Sequence, residues 1–172
     1  MLLATILSQL DMSKNDLEDQ VIMDLGEVLD KTNRSVTDLD VSDNSFGSAG
    51  GAAVLRALDR RILERLNLSM NNLNVVESFG KLREPRRLRT SLQDYKNMMS
   101  DLSSNLEGSK LSWLDMSFCN LGDGLAEAVA TVIECSDHTM EHIDLSSNGI
   151  GELGAEGMVK SMEVREPVSR AE

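Results

Sequence analysis

Residues 111–121 read LSWLDMSFCNL and residues 140–150 read MEHIDLSSNGI. Aligned on their first residue, both carry apolar side chains at positions one, four, six and eleven, aspartate at five, serine at seven and cysteine or asparagine at nine. The same frame starts at residue 7 (LSQLDMSKNDL), residue 36 (VTDLDVSDNSF) and residue 63 (LERLNLSMNNL). Side chains alternate across a strand, so apolar residues two apart, such as Leu39 with Val41 or Leu114 with Met116, point to one side and their neighbours to the other. The runs AAVLRAL, LAEAVATVI and AEGMVKSM, which follow three of the copies, space apolar residues three and four apart, the signature of a one-sided helix. Strand and helix therefore alternate at a fixed period, which predicts a stack of short parallel strands backed by helices.

The copies begin 29, 27, 48 and 29 residues apart, and the long interval needs its own reading. A weak sixth copy, PRRLRTSLQDY from Pro85, splits it into 22 and 26 and places Ser91 on the serine position and Gln93 on the asparagine position. The alternative is one helical repeat with an insertion of about twenty residues, since such repeats run ~20–29 residues. The preferred reading is a single domain over residues 1–172 with about six repeats, starting near 7, 36, 63, 85, 111 and 140, and a polar tail over 163–172.

The frame LxxLxLxxN is that of a leucine-rich repeat. The glycines after the asparagine (Phe46 with Gly47, Leu121 with Gly122, Ile150 with Gly151) and the helical run behind them make the chain resemble the ribonuclease-inhibitor-like class. Nucleotide-binding immune receptors and Ran GTPase-activating proteins share that class. The resemblance implies an α/β solenoid, a right-handed superhelix with a curved parallel sheet on its concave side and helices on its convex side. The middle departs from it: Asn74-Val75-Val76-Glu77-Ser78-Phe79 looks like the shorter repeats of protein-phosphatase regulatory subunits.

Seventeen basic against 29 acidic side chains give a net charge of −12, which would repel phosphates and argues against a nucleic-acid or anionic-membrane surface. Cys119 and Cys135 are the only cysteines and form no paired module, so the chain reads as intracellular rather than disulfide-stapled. The opening MLLATIL is too short for a membrane span and lacks the basic flank of a signal peptide; it reads as the end of an outer helix.

Position nine forms a column of Asn15, Asn44, Asn71, Gln93, Cys119 and Asn148. An amide both donates and accepts, so these residues are expected to tie the turns after each strand, with Cys119 the weakest tie. Position five gives Asp11, Asp40, Asn67, Arg89, Asp115 and Asp144, and the serines of position seven form a second column expected on the open face. Position three reads Gln9, Asp38, Arg65, Arg87, Trp113 and His142, which together with Arg89 of position five puts three arginines beside the single tryptophan. Arginine and tryptophan dominate interface energetics, and an outward tryptophan has no core role to play. Arg65, Arg87, Arg89, Trp113, His142, Asp115 and Asp144 are accordingly the expected partner-binding residues. Trp113 packed on an arginine is the plainer alternative. The basic stretch from Lys81 to Lys96 is a further candidate for an acidic partner segment.

No catalytic constellation emerges: His138 and His142 have no nucleophile at motif spacing, and Gly47 to Gly51 lack the lysine of a phosphate loop. No cofactor or metal is implied, since evenly spaced carboxylates on a sheet lack the enclosure of a calcium loop. The expected function is a non-enzymatic protein-interaction module within a larger cytoplasmic assembly, using the concave face and an N-terminal edge left open by Met1, Leu2, Leu3 and Ile6. GTPase activation of the Ran type and an architectural role in a cytoskeletal or ciliary complex are the alternatives.

Overall fold

A computed structural model describes residues 7–32, 35–60, 62–73, 85–106, 109–134 and 140–163. Five strands of three residues each, β1 (Gln9–Asp11), β2 (Asp38–Asp40), β3 (Arg65–Asn67), β4 (Trp113–Asp115) and β5 (His142–Asp144), form one parallel sheet in chain order. Between and after them come α1 (Asp19–Thr32), α2 (Ser48–Arg56), α3 (Pro85–Leu106), α4 (Gly122–Glu134) and α5 (Glu152–Glu163). The register sets Leu10, Leu39, Leu66, Leu114 and Ile143 side by side. Leu39, Leu66 and Leu114 are buried in one core with Val41, Leu68 and Met116, two residues further on, and with Ile22, Leu55, Leu102 and Val129 from the helices. Helices thus cover one face of the sheet.

The asparagines build the other half of each turn. Asn44 donates its amide to the carbonyls of Val41 and Ser42 in its own turn and of Met12 in the preceding one, while its Oδ1 accepts the N–H groups of Asn15 and Leu17. Asn71 and Asn148 repeat the pattern towards Val41 and Met116. Each such amide satisfies backbone groups that burial would otherwise leave without partners, so the column is a structural staple rather than a ligand surface.

Helix stacking is close because side chains are missing where backbones meet. A Cβ on Gly26 would lie 2.6 Å from the carbonyl oxygen of Ala53, so α1 and α2 touch through their main chains there. The carboxylate of Asp19 on α1 then reaches the start of α2, accepting the N–H groups of Gly47 at 2.8 Å and Gly50 at 2.9 Å. At the last junction, Asp123 on α4 accepts the N–H of Gly151, just before α5, at 2.7 Å. Anions at helix N-termini are favoured by the exposed N–H groups and the dipole.

The six-repeat count is corrected to five strands among the described residues. Pro85, Arg87, Arg89, Ser91 and Gln93 lie on α3, and β3 pairs directly with β4, Arg65 opposite Trp113. The physical reason is visible in the same residues. Leu88, Leu92, Tyr95, Met99, Leu102 and Leu106 recur at three and four, a helical period that outlasts the brief repeat-like match, and proline is well placed as the first residue of a helix. Met98, Leu102 and Leu106 are buried, so the later turns of α3 fill the place that a repeat helix takes elsewhere. The phosphatase-like segment 74–79, the opening residues 1–6, Cys135, His138 and the tail after Glu163 lie outside the described residues.

Candidate functional site

The open face of the sheet is read most directly through position three. Asp38, Arg65, Trp113 and His142 stand on four successive strands. The Arg65 Nε lies 3.5 Å from Asp38 Oδ1, and its guanidinium carbon sits 4.6 Å from the centre of the Trp113 ring. His142, from the strand on the other side, stacks on Trp113 with ring centres 5.7 Å apart and planes 10° from parallel. The indole is therefore clasped between a cation and an imidazole and is half-buried. A cation over an aromatic face contributes about 0.5–1 kcal/mol at exposed sites, so the ladder is a modest but directional lock.

Only one of the three arginines is in this cluster. Arg87 and Arg89 belong to α3, so the arginine group at mid-sheet and the cross-strand pairing of Arg89 with Asp115 are both replaced by Arg65 alone. The basic stretch likewise does not cross the sheet: Arg86, Arg87, Arg89 and Lys96 are helical, and Lys81 and Arg83 lie outside the described residues.

Position five turns out to answer its own repulsion locally. Asp11, Asp40, Asn67, Asp115 and Asp144 each accept, through Oδ1, the N–H of the serine two residues on, at 2.8–3.0 Å. Asp40 also accepts the side-chain amide of Asn67 at 3.0 Å. These bonds to Ser13 and Ser146 hold the carboxyls of Asp11 and Asp144 below the usual aspartate range, because a charged acceptor is the better partner for an N–H. The serines do not form a continuous column on the open face, for although Ser146 is exposed and Ser13 partly so, the three between them are not. Ser42, Ser69 and Ser117 are buried at the turn, where the chain folds off the strand, and their carbonyls accept N–H groups from the turn before.

Between Gln9, Asp11, Asp38, Asp40, Arg65, Asn67 and Trp113, with Leu10, Leu39 and Leu66 also in its lining, the face holds a shallow hollow of about 250 Å³ that carries three carboxylates, one cation and one indole. Among the described residues no group of histidine, cysteine and acid side chains is placed to hold a metal ion, and no helix is long and apolar enough to cross a membrane.

A strand, an asparagine-tied turn and a helix repeated in register decide the class. The family profile described as Leucine Rich repeat matches residues 32–55 and 136–159. Protein NLRC5 of Mus musculus is 28% identical over 156 residues, covering 86% of this chain and 8% of that protein. The ribonuclease inhibitor of Sus scrofa is 28% identical over 150 residues, covering 81% of this chain and 32% of that protein.

The fold is a leucine-rich-repeat α/β solenoid, and the chain is similar to proteins of the ribonuclease-inhibitor-like class. It spans about a third or less of the length of these curated relatives. Two large apolar residues that the strand frame does not single out, Met70 and Phe118, stand exposed in the turns after β3 and β4. They occupy position eight, where the other repeats carry Lys14, Asp43 and Ser147. A large apolar residue at an otherwise polar position was the signal available.

Proposed function

We propose that this chain is a non-catalytic protein-binding module acting within a larger cytoplasmic assembly, with the open sheet face around Arg65, Trp113 and His142 as its principal contact. The observation that carries this reading is the clasp itself. A tryptophan held upright on solvent-facing sheet by Arg65 and His142 loses little further freedom when a partner covers it, and preorganised aromatic anchors make the strongest interface contacts. Asp38 and the position-five acids surround the anchor with negative charge, which favours a partner with basic groups at the rim.

The outer edge of β1 is the second proposed contact. Leu10, Met12, Leu17 and Leu25 are only partly buried, whereas Leu39 and Val41, the counterparts of Leu10 and Met12 in the next repeat, are fully inside. The name of one relative, ribonuclease inhibitor, describes for that protein an effect exerted on an enzyme, in keeping with a binding role. A GTPase-activating reading would lean on clustered arginines, and Arg87 and Arg89 stand on α3 instead.

Affinity capture from the native cell with the intact chain and with Trp113→Ala tests the proposal. Specific proteins retained by the first and lost by the second are expected. Equal capture by both would remove the open face from the binding reading.

A further inference from the structure

Met70 and Phe118 are 53% and 60% exposed, and both have a left-handed backbone, with φ of 57° and 55°. That conformation arises from the turn, since Lys14, Asp43 and Ser147 adopt it at the same frame position. Glycine, asparagine and aspartate take it with least strain, whereas a bulky apolar residue there is disfavoured and, being exposed, gains no burial in return. Isolated exposed apolar residues are ordinary, but these two belong to adjacent turns: the Met70 N–H donates to the Ser117 carbonyl at 3.0 Å, next to Phe118. They lie on the same two repeats as Arg65 and Trp113, five residues further along each, where the chain leaves β3 and β4. Exposed Asp43 follows Met70 in the neighbouring turn, its own N–H bonded to the Ser69 carbonyl, and Asp115 and Asp144 close the strands beneath.

We propose that this turn edge is a second docking surface, on which Met70 and Phe118 receive an apolar side chain from a partner's extended segment while Asp43, Asp115 and Asp144 face lysine or arginine residues flanking it. Charge complementarity selects that occupant. The apolar pair stands beside the turn that carries exposed Asp43, in a chain of net charge −12, so an acidic segment would meet repulsion and a purely apolar one would leave Asp43 unanswered. The proposal rests on the protein-binding reading above only in using the same two strands, and adds the edge and the chemistry of what it takes.

The test is selection from a random peptide library displayed on phage, with the intact chain as bait, followed by affinity measurement on the enriched peptides. Asparagine is substituted at either position because it accepts the left-handed backbone, and circular dichroism confirms the fold. Enriched peptides are expected to carry an apolar residue flanked by Lys or Arg, to weaken with salt, and to lose about tenfold or more in affinity for Phe118→Asn, with a smaller loss for Met70→Asn. Peptides that bind Phe118→Asn as well as the parent overturn the proposal, as do an acidic consensus and the absence of any enrichment. Peptides lost on Trp113→Ala but indifferent to Phe118→Asn overturn the edge while leaving the open-face reading standing.

Discussion

The sulfur of Cys119 lies 3.2 Å from the carbonyl oxygen of Leu68, the place that asparagine amides occupy in the other junctions. The thiol also reaches the Ser117 carbonyl at 3.4 Å, so a single weak donor is shared between two acceptors. The junction of β3 with β4 is thus tied less firmly than its neighbours, and it is the same junction that carries the long α3 connection.

Cys119→Asn should restore the amide ladder. The side chain would donate to Leu68 and Ser117 and accept from the Asn71 turn, with an expected gain of about 1 kcal/mol in unfolding free energy. Urea denaturation measures it; a loss of stability would mean that the pocket does not admit the amide.

Burial pushes the Cys119 thiol up to about 12 from an ordinary value of 9.0. The folded chain therefore holds this proton more tightly than the unfolded chain, and the linked stability is fully present below about pH 9 and is lost as pH rises towards 12. Thiol labelling at pH 8, resolved by site with mass spectrometry, should find Cys119 protected in the fold and reactive in denaturant. Rapid labelling in the native state would contradict its burial.

Asp144 and Asp11 titrate below the ordinary carboxylate value because each accepts a serine N–H. A depressed folded value stabilises the turn above the unfolded value near 3.8 and loses that contribution as pH falls through the folded one. Carboxyl chemical shifts followed by NMR should show both midpoints below 3.8, moving to the ordinary value in denaturant.

Gly26→Ala should cost about 1–3 kcal/mol, since the new methyl meets the Ala53 main chain rather than a yielding side chain. Gly157→Ala is the control, because nothing lies within 4 Å of its added carbon, and it should be neutral or slightly stabilising. Equal midpoints in thermal denaturation would refute close α1 to α2 packing.

As the only tryptophan, Trp113 reports on its own clasp. His142→Ala and Arg65→Ala should each alter indole emission while lowering stability by about 1 kcal/mol or less. An unchanged spectrum in both variants would show that the indole is not held between them in solution.

How far the site was legible follows from which residues obey the frame. Where a repeat has apolar residues at four and six and an amide at nine, the direction of each side chain follows from alternation alone, and so Trp113, Arg65 and His142 could be placed on the open face in advance. Pro85 to Gln93 matched the frame only loosely, with threonine at an inward position, and helical spacing over the next fifteen or so residues outweighed that match. The serines were misplaced for a related reason. Alternation ends with the strand, and the left-handed residue after each serine turns the backbone, so a rule valid within β2 or β4 no longer applies at Ser42 or Ser117.

Periodicity by itself determined the repeat class, the inward leucines and the column of asparagines, because these depend on local geometry that recurs identically from unit to unit. Tertiary structure alone decided that Trp113 meets Arg65 and His142 rather than Arg87, and that Met70 and Phe118 stand exposed on adjacent turns. Those neighbours come from repeats 29 to 48 residues apart, and which strand lies beside which depends on how the chain between them folds.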